Sequence, residues 1–143
     1  MSPNSALLLV LGIVLVFALV GVLMRRRANR RRRASPAAPD TAQLLGLSEL
    51  GSTATLVQFS TQFCSRCPGM RRALEELTGR FQHVVLHEVD LTEDLATAKA
   101  LNILQTPTVL VLDSAGNLAA RYAGATDPRA LEAELIALRD RQL

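Results

Sequence analysis

The residues best equipped for chemistry are two sulfurs. Cys64 and Cys67 are the only cysteines of the 143-residue chain, separated by Ser65 and Arg66. The reactive form of a cysteine is its thiolate, whose population is set by the surroundings of the sulfur. Ala54 to Ser60 (ATLVQFS) is a short apolar, β-branched run that reads as a buried strand, and Met70, Ala73, Leu74, Leu77 and Phe81 then recur at helical spacing. The cysteines therefore stand where a strand gives way to an amphipathic helix. Unpaired backbone N–H groups and the positive dipole end at such a junction stabilise an anion, as does the adjacent Arg66. An exposed thiol placed there falls from a pKa of about 8.5 toward about 7, which raises its thiolate fraction at pH 7 from roughly 3% to about half. A second cysteine three residues on lies one turn away and can attack the mixed disulfide made by the first. The chemistry predicted is thiol–disulfide exchange.

Two other uses of the same residues compete. Cys64, Cys67, His83 and His87 spell C-x2-C-x15-H-x3-H, a spacing that suits zinc. Histidines four apart converge on one metal only on a helix, however, and His83 to Leu91 (HVVLHEVDL) reads as a strand, where they would stand about 13 Å apart. The expectation is no metal, with both histidines as polar positions at strand ends. A pair of inert, buried cysteines is the other alternative. It leaves the strand-to-helix turn and the adjacent arginine without a purpose.

The elements that must hold the sulfurs follow from the pattern on either side. Leu44 to Leu50 is a short helix or an irregular lead-in. After the helix that follows the cysteines come the strand His83 to Leu91 and a short helix through Leu101 capped by Thr92. Thr108 to Asp113 and Leu118 to Ala123 form a hairpin across the turn Ser114 to Asn117. Asp127 as N-cap and Pro128 at the first helical position open a last helix with a Leu131, Leu135, Leu138 stripe. On the first helix Arg71/Glu75, Arg72/Glu76 and Glu76/Arg80 are spaced as outer-face ion pairs. The order strand, helix, strand, helix, strand, strand, helix implies an α/β domain whose mixed sheet is covered on both faces.

Ahead of this domain, 41–143, the composition changes sharply. Residues 1–5 form a short uncharged tail, and Ala6 to Met24 holds 17 apolar residues in 19 with no charge, about 28 Å of helix and enough to span a bilayer core. Seven arginines then crowd between Arg25 and Arg33. A cleaved signal peptide would carry its positive charge before the apolar run, so the reading is a single transmembrane helix, 6–24, with the C-terminal side in the cytoplasm and the N-terminus outside. Residues 25–40 are a polybasic segment in contact with anionic lipid, followed by a proline-containing spacer. From Ala34 onward 9 basic groups face 13 acidic ones, so the body is acidic although the whole chain is formally +3. With one tyrosine and no tryptophan it offers neither charge nor stacking surface to nucleic acid.

TLVQFSTQFCSRC, a second βα unit, TPT before a strand, and a closing hairpin and helix together resemble the thioredoxin family over about Leu47 to Leu143. GLSELGS before the first long strand is similar to the membrane-tethered TlpA/ResA-like branch. The resemblance implies a thioredoxin fold in which Cys64 attacks, Cys67 resolves, and Pro107 is a cis-proline whose loop, with Thr106, receives substrate backbone. Phe63, Arg66 and Gly124 complete the implied substrate surface. No cofactor is implied beyond the cysteine pair. The implied partners are protein disulfide substrates and an electron donor such as a thioredoxin reductase or a low-molecular-weight thiol, with the reducing direction favoured in a cytoplasmic setting. An extracytoplasmic TlpA/ResA-type exchanger and a non-catalytic thioredoxin-fold adaptor at the membrane are the alternatives. Several positions depart from the family pattern. Gln58 replaces a frequent buried acid, Phe63 replaces the usual tryptophan, Ser65-Arg66 replaces Gly-Pro, and Pro68 follows the motif, which requires the helix to start at about 65–67.

Overall fold

The computed structural model describes residues 11–22, 32–33 and 41–142. The chain divides into two compact units, Met1–Arg30 and Arg31–Leu143. In the first, residues 11–22 are helical (α1) and all exposed. Among the described residues no helix is long and apolar enough to cross a membrane. The remaining residues of the predicted span 6–24, most of the arginine run and the spacer 34–40 lie outside the described residues.

The second unit is built on one mixed sheet. Its elements in chain order are β1 (Arg32–Arg33), α2 (Thr41–Leu44), β2 (Ala54–Ser60), α3 (Cys67–Arg80), β3 (Val84–Asp90), α4 (Leu95–Ala100), β4 (Thr108–Leu112), β5 (Leu118–Ala123) and α5 (Pro128–Asp140). The strand order is β1-β5-β4-β2-β3. β2 and β3 run parallel because the helix α3 connects them, whereas β4 pairs antiparallel with both β2 and β5. The two-residue strand β1, from the end of the arginine run, pairs antiparallel with β5 and was not expected from composition.

All residues of β2 and β4 are buried, which explains their unbroken apolar runs. Alternate side chains leave the sheet on opposite faces. Leu56, Val109 and Val111 pack with Leu74 and Leu77 of α3 and with Leu131, Leu135 and Leu138 of α5. On the other face Val57, Phe59, Leu110 and Leu112 pack with Ala42, Leu91 and Ile103. The site thus sits on a strand anchored by two cores.

Several boundaries differ from the sequence expectation. His83 precedes β3 rather than opening it, with φ of +63°. Its carbonyl instead accepts from Thr53 N at 3.0 Å, tying the lead-in to the start of β3. Gly51 makes that approach possible, because a Cβ there would collide with the Ala54 oxygen and lie 2.5 Å from the His83 oxygen. The cap of α4 is Asp94, which accepts from Thr97 N at 3.0 Å, and not Thr92. Thr92 is engaged elsewhere, its hydroxyl accepting from Gln62 N at 2.9 Å and donating to Asp90. On α3, Arg71 does reach Glu75, but Arg80 reaches across to Glu132 on α5.

Candidate active site

Cys64 and Cys67 are joined in a disulfide, with Cα atoms 5.5 Å apart. Cys67 is the first residue of α3 and Pro68 the next, so the proline sits in the first turn, where its missing N–H would have had no intrahelical partner. Arg66 occupies the N-cap position without a side-chain cap bond, and the positive end of the α3 dipole lies beside the sulfurs. The turn between the cysteines is closed by Cys67 N donating to the Cys64 carbonyl at 3.2 Å. The two sulfurs differ in access. Cys67 is 4% exposed, whereas Cys64 is only half-buried.

A second loop is brought to the first. Cys64 N donates to the Thr61 carbonyl at 3.0 Å, and the Thr61 hydroxyl lies 3.4 Å from that of Thr106. The Thr106–Pro107 peptide is cis, as the family resemblance implies. Gly124, with φ of +83°, donates its N–H to the Pro107 carbonyl at 2.7 Å. The structure therefore connects Cys64, Thr106, Pro107 and Gly124 through three contacts. Phe63 stands beside Cys64 with 85% of its surface exposed, and Arg66 is exposed at the start of α3. Leu104, 86% exposed three residues before Pro107, adds an apolar side chain to that loop. It was missed because a lone leucine in a loop carries no periodicity.

The histidines do not join the cysteines. His87 Nε2 donates to the Glu49 carbonyl at 2.8 Å, and His83 lies in the turn before β3. Among the described residues no group of histidine, cysteine, aspartate and glutamate side chains is placed to hold a metal ion.

Behind the disulfide the position of the family's frequent acid is occupied by Gln58, 1% exposed at the middle of β2. Its Nε2 donates to the Cys67 carbonyl at 3.0 Å. Since a carbonyl can only accept, the amide nitrogen must face Cys67 and the oxygen must point away. That Oε1 is buried without a hydrogen-bond partner. Gln58 pairs in register with Glu88 on β3, whose carboxylate is 2.9 Å from the Arg71 guanidinium. Arg71 is pushed up from its ordinary value by its hydrogen bond to Glu75 and by the Glu88 charge. Neither Glu88 nor Arg71 was singled out from the sequence as part of the site.

A disulfide at the start of a helix, joined through Thr61 to a cis-proline loop, is a redox centre by its geometry. The family model for thioredoxin matches residues 47–137. The chain belongs to the thioredoxin family. The thioredoxin of Chlamydia pneumoniae is 30% identical over 80 residues, 56% of this chain and 78% of its own. Two solved structures with the same fold are a mutant thioredoxin of Halobacterium salinarum and the oxidised mitochondrial thioredoxin 3 of Saccharomyces cerevisiae. The first has a TM-score of 0.56 at 20% identity and covers 62% of this chain and 76% of its own. The second has a TM-score of 0.53 at 24% identity and covers 60% and 79%. With its cysteine pair in place, this thioredoxin-like chain is a thiol–disulfide oxidoreductase, and the family acts on protein disulfides.

Proposed function

We propose that the chain is a membrane-anchored thioredoxin that reduces protein disulfides on the cytoplasmic side of a cell membrane. The observation that carries the location is the uncharged run Ala6 to Met24 followed directly by seven arginines up to Arg33. An uncharged run of that length favours insertion, and the arginines retain the following domain on the cytoplasmic side while meeting anionic lipid. In that compartment electrons come from a thioredoxin reductase or a low-molecular-weight thiol, and substrates leave reduced.

Each step of the exchange has a residue suited to it. Cys64, the more exposed cysteine, attacks a substrate disulfide as the thiolate, assisted by the positive end of the α3 dipole and by Arg66. The substrate chain lies along the Thr106–Pro107 loop beside Gly124, with Phe63 and Leu104 offering apolar contact. Cys67, buried at the first turn of the helix, then attacks the mixed disulfide and releases the substrate.

The test is alkylation of Cys64 and Cys67 in intact cells, with a membrane-permeant and a membrane-impermeant thiol reagent in parallel. The expected result is modification by the permeant reagent alone, with most molecules in the dithiol form. Labelling by the impermeant reagent would overturn the cytoplasmic reading in favour of an extracytoplasmic exchanger of the TlpA/ResA type. A pair found fully oxidised in growing cells would overturn the reducing direction.

A further inference from the structure

The two edges of the sheet differ. β1 covers β5, whereas β3 ends the other side and pairs with no strand beyond it among the described residues. Native edge strands are usually short, bulged or interrupted by proline, because their free N–H and C=O groups recruit further strands. β3 is seven residues long, keeps an unbroken register with β2 and contains no proline. Just after it, Leu91 N donates inward to the Ser60 carbonyl at 2.8 Å. Backbone groups alternate sides along a strand, so those of Leu86, Glu88 and Asp90 point outward. On the α3 face beside this edge lies a cleft of about 540 Å³, lined by Arg71, Glu75 and Gly79 of α3 and by Leu86 and Glu88 of β3 among others.

We propose that a second copy of this chain adds its β3 to this edge, antiparallel and about a two-fold axis at His87. Outward-pointing residues must oppose one another in such a pair, which restricts a well-overlapped seam to a centre at 86, 87 or 88. Charge chooses among them. α3 runs antiparallel to β3 and rises about 1.5 Å per residue against about 3.3 Å. Arg71 meets Glu88 at 2.9 Å, so Glu75, one turn further along, is level with Leu86, and the midpoint of the two helix residues is level with His87. A centre at 88 sets Glu88 against Glu88 and Arg71 against Arg71, and a centre at 86 sets Glu75 against Glu75. With the centre at His87, Arg71 of each copy comes level with Glu75 of the other. Glu88 then lies opposite Leu86, Asp90 opposite Val84, and Val85 opposite Val89 on the other face of the sheet. No carboxylate opposes a carboxylate, and the apolar and unlike-charge pairs favour this register. The helices fit as well. Leu74 and Leu77 seat α3 over Leu56 of β2 and Leu86 of β3, and with strands about 4.8 Å apart the two copies of α3 would lie about 10 Å apart, the spacing of packed helices.

The experiment is sedimentation of the full chain in detergent micelles from about 1 µM to about 200 µM, which brackets the affinities of small interfaces, with amide exchange at both ends of the range. The expected result is a concentration-dependent dimer in which the Leu86 and Glu88 amides are protected, and a monomer in which they exchange freely. Arg71→Glu and Glu75→Arg each set like charges against one another at both ends of the helix pair, so each alone should weaken association at least about tenfold. Mixed in equal amounts, the two variants bring unlike charges together again and should form a mixed dimer. Glu88→Pro removes an outward N–H without removing a bond to β2, so it should be monomeric with the circular dichroism of the parent. Should that variant fail to fold, the charge-exchanged pair decides alone. A chain that is monomeric throughout, with Leu86 and Glu88 amides exchanging freely, would overturn the proposal and leave the edge to a different polypeptide. Failure of the mixed dimer would overturn it too. So would a dimer that persists in all the variants with those amides unprotected, because association would then run through the apolar segment 6–24.

Discussion

Replacing Gln58 with glutamate keeps the size and shape of the side chain and changes one atom, so it tests the reading of the buried amide directly. Gln58 is 1% exposed and donates from its Nε2 to the Cys67 carbonyl at 3.0 Å. A neutral carboxyl can keep that bond by donating its O–H. An ionised carboxyl cannot, and it would set an anion against a carbonyl oxygen in a site with almost no water contact. Both effects push the carboxyl upward, and a fully buried acid shifts by about 3 units or more from its ordinary value of about 4.3. The folded value would then lie above the unfolded one. Gln58→Glu should therefore match the parent below about pH 4 and lose stability as pH rises, by about 1.4 kcal/mol per unit, until the loss levels near pH 7 at about 4 kcal/mol. Urea unfolding of the oxidised full chain in mild detergent, followed by far-ultraviolet circular dichroism from about pH 4 to about pH 8, measures this. The same carboxyl, poised near neutrality beside Cys67, should also speed resolution of mixed disulfides. A stability difference that does not change with pH would refute the placement of Nε2 against Cys67 and of Oε1 away from water.

Three further outcomes follow from the same geometry. Cys64→Ser should abolish exchange without forming adducts, whereas Cys67→Ser should accumulate mixed disulfides visible on non-reducing electrophoresis; identical behaviour of the two would contradict their different burial. Gly51→Ala forces a Cβ onto the backbone oxygens of Ala54 and His83, so it should destabilise the domain by about 2 kcal/mol or more in the same urea assay, and a neutral result would mean that the lead-in can move away. Asp94 is held below the usual carboxylate range by hydrogen bonds from the Thr97 hydroxyl and N–H. Its support of α4 should thus be present above the ordinary carboxyl value and lost as pH falls through the lowered one, read as faster amide exchange at Thr97 in acid than that of α3 amides after correction for intrinsic rates.

How far the sequence reached depended on whether a feature was periodic or merely adjacent in space. β2 and β4 are buried on both faces, so their apolar runs are continuous and their extents are legible to within a residue. α5 begins at Pro128 behind Asp127 because cap and proline are neighbours in sequence, and α3 begins at Cys67 because Pro68 permits no later start within the motif. Thr92 reads as the cap of α4 in sequence, and what displaces it in favour of Asp94 is Gln62, thirty residues earlier, whose N–H takes the Thr92 hydroxyl away. His83 reads as a strand residue beside two valines. The close packing of Gly51 and Thr53 against it makes it a left-handed turn instead, a conformation that histidine tolerates better than most residues.

The site divides along the same line. Cys64, Arg66, Cys67 and Pro68 form one contiguous stretch, and Pro107 carries its own signature, so the redox centre could be read directly. The polar surroundings of Gln58 could not. Replacement of an acid by Gln58 registers in sequence only as a loss, because nothing near position 58 indicates which residues will surround it. Parallel pairing of β2 with β3 sets Gln58 against Glu88, and one helical turn beyond Cys67 on α3, Arg71 meets that carboxylate. Three elements separated by 13 to 30 residues are needed before the arrangement exists.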